Sequence, residues 1–78
     1  MAKIFIGAGR QAGVRPQDLV GAIANEAGLA GGLIGAIQIG DRFSLVEVPD
    51  EVANQVIRAL GKTTIRGKKV QVRRDKGE

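Results

Sequence analysis

The segment FSLVEVPDEVANQVIRALG, residues 43–61, carries the clearest structural signal in this 78-residue chain. Its first six residues are rich in β-forming side chains and predict a strand. Pro49 and the two acidic residues after it are typical of a helix start, and Gly61 is typical of a helix end. The apolar residues that recur between them at helical spacing are Val52, Ala53, Val56, Ile57 and Leu60. The segment therefore predicts a strand followed directly by an amphipathic helix.

Upstream of this segment, the sequence predicts another strand, another helix and a hairpin partner. Residues 3–7 alternate and are rich in β-formers, and residues 16–27 begin with proline and carry apolar side chains at helical spacing. Residues 36–39 alternate again, and the Gly-Asp pair at residues 40–41 is suited to a turn. We therefore expect a β-hairpin that joins this strand to residues 43–48.

Downstream of the second helix, residues 65–68 predict a tight turn and residues 70–73 a last strand. The complete order is βαββαβ, which is the ferredoxin-like split βαβ sandwich of the α+β class. In that fold a four-stranded antiparallel sheet carries two helices on one face and leaves the other face open. We expect one domain over residues 1–74 and a flexible C-terminal tail over residues 75–78.

The residue types that are absent exclude several kinds of site. The chain has no cysteine and no histidine, so thiol nucleophiles, zinc sites and histidine-based triads are excluded. We expect no catalytic residue, no metal site and no cofactor. The longest uncharged stretch, residues 27–40, is shorter than the ~17–25 apolar residues that a membrane helix needs. We therefore expect no membrane partner and, by default, a cytoplasmic location.

Positive charge is concentrated at the end of the chain. Residues 1–60 contain five Lys or Arg against six Asp or Glu, whereas residues 61–78 contain seven against two. These balances of −1 and +5 together give the net charge of +4. A basic cluster of this kind is typical of a phosphate-binding surface, and the alternative interpretation is a solvated tail.

Strand alternation predicts which side chains face the helices and which face solvent. The predicted helix-facing set is Ile4, Ile6, Ile37, Ile39, Val46, Val48, Val70 and Val72. The predicted outward set is Lys3, Phe5, Ala36, Gln38, Phe43, Leu45, Glu47, Lys69, Gln71 and Arg73. Both aromatic residues of the chain then lie on the open face, where phenylalanine can stack on unpaired bases. The alternative is that both rings are packed in the core.

The glycine-rich loop after the first strand superficially resembles a dinucleotide-binding loop. Its spacing, Gly7-x-Gly9 followed by Gly13, does not match the G-x-G-x-x-G fingerprint, and the chain contains no second nucleotide-binding half. Arg10 and the backbone N–H groups of this loop could instead contact a phosphate. The alternative is that the glycines serve only the backbone turn.

Several motifs together resemble one known family, and the match covers nearly the whole chain. The matching motifs are Gly9-Arg10-x-x-Gly13-x-x-Pro16-x-Asp18-Leu19-Val20-Gly21-Ala22-Ile23, Asn25-Glu26-Ala27-Gly28-Leu29, Ile34-Gly35-x-Ile37-x-Ile39, Phe43-Ser44-x-Val46-Glu47-Val48-Pro49 and Gly67-Lys68-Lys69-Val70-x-Val72. This pattern resembles the DbpA-type C-terminal RNA-binding domain of bacterial DEAD-box RNA helicases. Two positions depart from RNA-recognition motifs in general: Leu45 replaces an aromatic residue, and Arg42 replaces a glycine.

The resemblance implies an atypical RNA-recognition fold that tethers an ATP-dependent helicase core to structured RNA. In the best-known branch the target is a hairpin region of large-subunit ribosomal RNA, which implies a role in ribosome biogenesis. The chain has no helicase motifs of its own, so we expect a non-catalytic, monomeric module. The residues predicted to contact RNA are Lys3, Phe5, Arg10, Arg42, Phe43, Lys68, Lys69, Arg73 and Arg74.

Two functions of other classes use the same topology. A small-molecule-binding regulatory domain would act as a dimer, with its ligand at the dimer interface. An acylphosphatase-like enzyme would need an asparagine beside the loop arginine, but Asn25 and Asn54 both lie on predicted helices, and Ser44 is expected to face the core without a base.

Overall fold

The structure is a computed structural model and describes residues 1–75. Strand β1 spans Ala2–Ile6, helix α1 spans Pro16–Glu26, strand β2 spans Ile37–Ile39 and strand β3 spans Ser44–Val48. Helix α2 spans Asp50–Gly61, and three strands follow it: β4 at Thr64–Ile65, β5 at Lys68–Lys69 and β6 at Val72–Asp75. Short 3-10 turns occur at Arg10–Ala12 and Gly31–Leu33.

Four of the six strands form one antiparallel sheet in the order β2-β3-β1-β6. Strand β1 pairs with β3 from Ala2 opposite Val48 to Ile6 opposite Ser44. Strands β4 and β5 form a separate two-stranded hairpin. The α+β class and the ferredoxin-like arrangement predicted from the sequence are therefore confirmed.

The core lies between the sheet and the two helices, as the alternation predicts. The largest fully buried side chains include Ile4 and Ile6 from β1, Val46 and Val48 from β3, and Leu60 from α2. The helix-facing residues of the edge strands β2 and β6, which are Ile37, Ile39 and Val72, pack against this core and are only partly buried, and so is Val70, which precedes β6. Burial of apolar surface at ~25 cal/mol per Å² is the main stabilising term for such a core.

The end of the chain differs from the prediction in one respect. The tight turn expected at residues 65–68 is confirmed, but it is flanked by paired strands, Thr64–Ile65 and Lys68–Lys69, and the sheet strand expected over residues 70–73 begins only at Val72. The cause is a two-residue turn in which Arg66 and Gly67 both have positive φ, 53° and 77°. Such a turn folds the chain back on itself as a tight hairpin.

Asp75, the last residue that the structure describes, lies in β6 opposite Lys3 of β1. Asp75 is thus the last described residue of a strand, although the tail was expected to begin there. The remainder of the expected tail, residues 76–78, lies outside the described residues. No helix in the described part of the chain is long and apolar enough to cross a membrane.

The loop between β1 and α1 packs closely on the turn between β2 and β3. The backbone N–H groups of Arg10 and Gln11 donate to the carbonyl oxygens of Gly40 and Asp41, at 2.8 and 2.9 Å. A Cβ at Gly9 would overlap the Gly40 carbonyl oxygen and lie 2.9 Å from that of Asp41. The φ of Gly9 is −146°, so the requirement for glycine here is one of space rather than of left-handed backbone.

We predict that Gly9→Ala lowers the free energy of unfolding by about 1–3 kcal/mol, because a methyl group placed against backbone atoms cannot be relieved by a side-chain rotation. The matched control is Gly21→Ala in helix α1, where nothing lies within 4 Å of the added Cβ. That control should be neutral or stabilising by up to ~1 kcal/mol, since alanine is a better helix former than glycine. Urea unfolding of both variants measures the difference, and equal stabilities would contradict the close contact.

Candidate nucleic-acid interface

The open face of the sheet carries the side chains that the strand register places on the side away from the helices. Phe5 of β1 lies between Leu45 of β3 and Arg73 of β6, and Gln38 of β2 lies beyond Leu45. Phe5 is partly buried, and Phe43, which immediately precedes β3, is 43% exposed. The prediction that both aromatic residues lie outside the core is therefore confirmed.

Phe5, Phe43 and Arg73 form a three-membered stack on this face. The rings of Phe5 and Phe43 have centroids 5.7 Å apart and planes inclined by 13°. The guanidinium carbon of Arg73 lies 4.3 Å from the centroid of the Phe5 ring, which is within the range of a cation–π contact. The stack combines an apolar surface with a fixed positive charge, and both features suit a nucleotide.

The two ends of the open face differ in charge. Lys3 lies at the end where β1 begins, and its register partners are the acidic residues Glu47 and Asp75. Arg73 lies nearer the other end, where Phe43 and the loop after β1 are found. Because opposite charges on paired strands offset one another, Lys3 contributes little net positive potential, and the basic part of the face lies at the Arg73 end.

Arg10 is held by contacts within the protein. Its guanidinium Nη2 donates to the carbonyl oxygen of Ile39 at 2.7 Å, and its Nε lies 3.9 Å from a carboxylate oxygen of Asp41. The Ile39 carbonyl lies at the outer edge of the edge strand β2. Arg10 therefore ties its loop to that edge and takes up an edge acceptor that another chain could otherwise use. The side chain remains 68% exposed.

A shallow cleft of about 270 Å³ lies beside the glycine-rich loop at the basic end of the face. Its lining residues are Gly7, Ala8, Gly9, Gln11, Ala12, Asp41, Arg42 and Lys68. Two of the predicted RNA-contacting residues, Arg42 and Lys68, thus meet at one cleft although they are far apart in sequence. Gly7 is exposed and has no side chain, so its backbone is open to a ligand on the cleft floor, whereas Gly9 is buried against the turn between β2 and β3.

The β4–β5 hairpin brings the basic C-terminal segment to this end of the domain. Ile65, 4% exposed, anchors the hairpin in the core. Lys68 and Lys69 are consecutive strand residues, so their side chains point to opposite sides, and only Lys68 lines the cleft. Arg66 at the hairpin turn was not among the predicted contact residues, and its Nε would lie 3.6 Å from a Cβ at Gly13. The Arg-Gly turn sequence could have indicated that Arg66 lies at a hairpin turn.

Arg74 does not join the open face. Its register partner is Ile4, which faces the helices. Its guanidinium Nη2 donates to the side-chain oxygen of Asn54 in α2 at 3.4 Å. Of the predicted contact residues, the structure thus brings Phe5, Phe43 and Arg73 together on the face and Arg42 with Lys68 at the cleft, while it places Arg74 on the helix side.

Ser44 is the hydroxyl residue nearest the candidate interface, and it is fully buried. Its hydroxyl donates to the carbonyl oxygen of Ala8 at 2.7 Å, which links β3 to the start of the glycine-rich loop. Among residues 1–75, no group of three or more acidic side chains could hold a metal ion. The features suited to binding are the aromatic stack with Arg73 on the open face and the cleft with its two cations.

Comparison with known proteins gives a match to the family described as the DbpA RNA binding domain, over residues 3–74. The chain is 38% identical over 68 residues to the ATP-dependent RNA helicase DeaD of Mycobacterium tuberculosis, covering 87% of this chain and 12% of that protein. It is 36% identical over 73 residues to the ATP-dependent RNA helicase DbpA of Escherichia coli, covering 94% and 16%.

A third relative is the ATP-dependent RNA helicase DbpA of Bacillus subtilis, 33% identical over 70 residues, which cover 90% of this chain and 15% of that protein. The chain thus spans about an eighth to a sixth of the length of these relatives. The family match includes the glycine-rich loop, both phenylalanines, the β4–β5 hairpin and Arg73. The chain therefore belongs to the DbpA RNA-binding domain family, whose members are found in ATP-dependent RNA helicases.

Proposed function

We propose that this domain is the RNA-targeting module of a DEAD-box ATP-dependent RNA helicase and that it tethers the helicase core to structured RNA. The target that fits the family resemblance is a hairpin of ribosomal RNA. Ribosome assembly and a cytoplasmic location follow from that target. In this arrangement the core hydrolyses ATP, and the domain, a monomer, supplies affinity and selection without catalysis.

The observation that carries the proposal is the meeting of an exposed aromatic surface with convergent cations. Phe43 remains 43% exposed beside Phe5 and Arg73, and Arg42 with Lys68 lines the cleft at the same end of the sheet. Unpaired bases bind proteins by stacking on aromatic or guanidinium planes, and the phosphates bind to Lys and Arg nearby. A hairpin loop presents both groups together.

The alternative from another class is a small-molecule-binding regulatory domain that acts as a dimer. A groove of about 470 Å³ between the helices, lined by Glu26, Gln55, Arg58, Ala59 and Lys62, is where a small ligand would fit. The groove does not explain the cations around the cleft on the other side of the molecule, so RNA is the better-supported ligand. Ligand-dependent dimerisation in sedimentation experiments would favour the alternative.

We predict that RNA binding weakens steeply with salt, with a log–log slope of about −2 to −4 if roughly 3–5 phosphates are neutralised. The double variant Lys68→Glu with Lys69→Glu should weaken binding about tenfold or more and make the slope shallower by about one per lost phosphate contact. Fluorescence anisotropy with a labelled RNA hairpin at several salt concentrations measures both quantities.

The charge-matched control for that variant is Arg58→Glu with Lys62→Glu, which changes the net charge equally on the helix side. This control should lower the affinity less and leave the slope nearly unchanged, because its side chains line the groove between the helices. Equal losses for the two double variants would mean that only net charge matters and would contradict a localised binding site.

We predict that fusing the domain to a helicase core lowers the RNA concentration that half-saturates the ATPase of that core. A tethered second site raises the effective RNA concentration at the core to the millimolar range when the linker can span the distance. The effect should be selective for RNA that carries the recognised hairpin, and single-stranded and duplex RNA are the comparison substrates. Identical responses of the fused and bare cores to every RNA would contradict the tethering function.

A further inference from the structure

The two phenylalanines of the open face are not equally accessible. Phe43 approaches Phe5 from the β3 side and Arg73 approaches it from the β6 side, and these strands flank β1 on opposite sides. The Phe5 ring therefore lies between its two neighbours and is partly buried, whereas Phe43 lies at one end of the stack and is 43% exposed.

Base stacking needs a ring face that is open to the ligand. A base that stacked on Phe5 would first have to displace either the Arg73 guanidinium or the Phe43 ring. Phe43 is 43% exposed, and the residue beside the Cδ1–Cε1 edge of its ring is Gly40, which has no side chain to displace. Phe43 lies at the same end of the sheet as Arg42 and Lys68, whose cations can hold the phosphate of the same nucleotide. The geometry thus separates a base-contacting ring from a supporting ring.

We propose that an unpaired RNA base stacks on the outer face of Phe43, that Phe5 contacts no base, and that Arg73 is the positioning residue that covers the Phe5 ring and keeps bases from it. This inference rests on the proposed function, since it takes RNA as the ligand of the open face. Phe5 holds the Arg73 guanidinium in place through the cation–π contact and supports the inner side of Phe43. Phe5 of β1 and Phe43 before β3 therefore provide one stacking surface for a base, and not two.

Photocrosslinking of the chain to an RNA hairpin whose loop contains 5-iodouridine tests this assignment, because the halogenated base crosslinks to the aromatic ring on which it stacks. Trypsin separates the two rings: Phe5 lies in the peptide 4–10 and Phe43 in the peptide 43–58. The expected result is a crosslink in peptide 43–58 alone. A crosslink in peptide 4–10 of the unaltered chain would overturn the proposal.

The roles of the two rings are separated by matched substitutions. Phe43→Leu should weaken RNA binding about 5- to 140-fold, the range expected for one lost base stack. Phe5→Leu should weaken it clearly less, because leucine still packs against the inner side of Phe43 and only the cation–π contact with Arg73 is lost. Circular dichroism and urea unfolding establish that each variant is folded. Equal losses for the two folded variants would contradict the assignment.

The positioning role of Arg73 has its own test. Arg73→Ala should expose the face of the Phe5 ring that the guanidinium covers, so that a crosslink appears in peptide 4–10. Arg74→Ala removes the same charge from the helix side and should leave the crosslink in peptide 43–58 alone. An unchanged pattern in Arg73→Ala would overturn this part of the proposal. RNA binding without a crosslink in either peptide would overturn the stacking proposal and leave RNA targeting intact, whereas no binding to any RNA would overturn the proposed function itself.

Discussion

The register of β1 against β3 is the constraint on which both the core and the candidate interface depend. Side chains alternate across a sheet, so a slip of one residue would exchange the two faces of a strand. In the observed register Ile4 and Val46 are buried together, and Phe5 and Leu45 share the open face. The buried hydrogen bond from Ser44 to the Ala8 carbonyl and the close approach of Gly9 to Gly40 hold this register at one end of the strands.

The same strands therefore supply stability on one face and a ligand surface on the other. Ile6 is fully buried and pairs with Ser44, while the neighbouring Phe5 stacks with Phe43 outside the core. Changes on the open face alter few core contacts, so binding and folding can be separated by mutation. Arg10 contributes to folding, because its guanidinium joins the glycine-rich loop to the β2 edge at Ile39.

The sequence predicted most features that depend on local periodicity. Helix α2 was expected to begin after Pro49 and to end at Gly61, as it does, and alternation placed Phe5 and Phe43 outside the core. Features that depend on contacts between distant segments were not predictable in this way. The contact of Arg10 with Ile39 and the meeting of Arg42 with Lys68 require the completed tertiary fold. The tight turn of the β4–β5 hairpin was predicted at residues 65–68, but its strands were not, because two-residue strands are too short to show alternation.

The charge distribution and the topology together place the cations of the cleft at one end of the sheet and residues 3 and 75 at the other. Lys3 and Asp75 are register partners, so the start of β1 and the last described residue of β6 lie at the same end of the sheet. Phe43, Arg42 and Lys68 lie near the other end of β1, which at ~3.3 Å per residue is roughly 15 Å away. A polypeptide joined at either end would thus enter beside acidic Glu47 and Asp75, away from the cations. In the proposed function, such an arrangement would let RNA approach the basic end without obstruction by an attached helicase core.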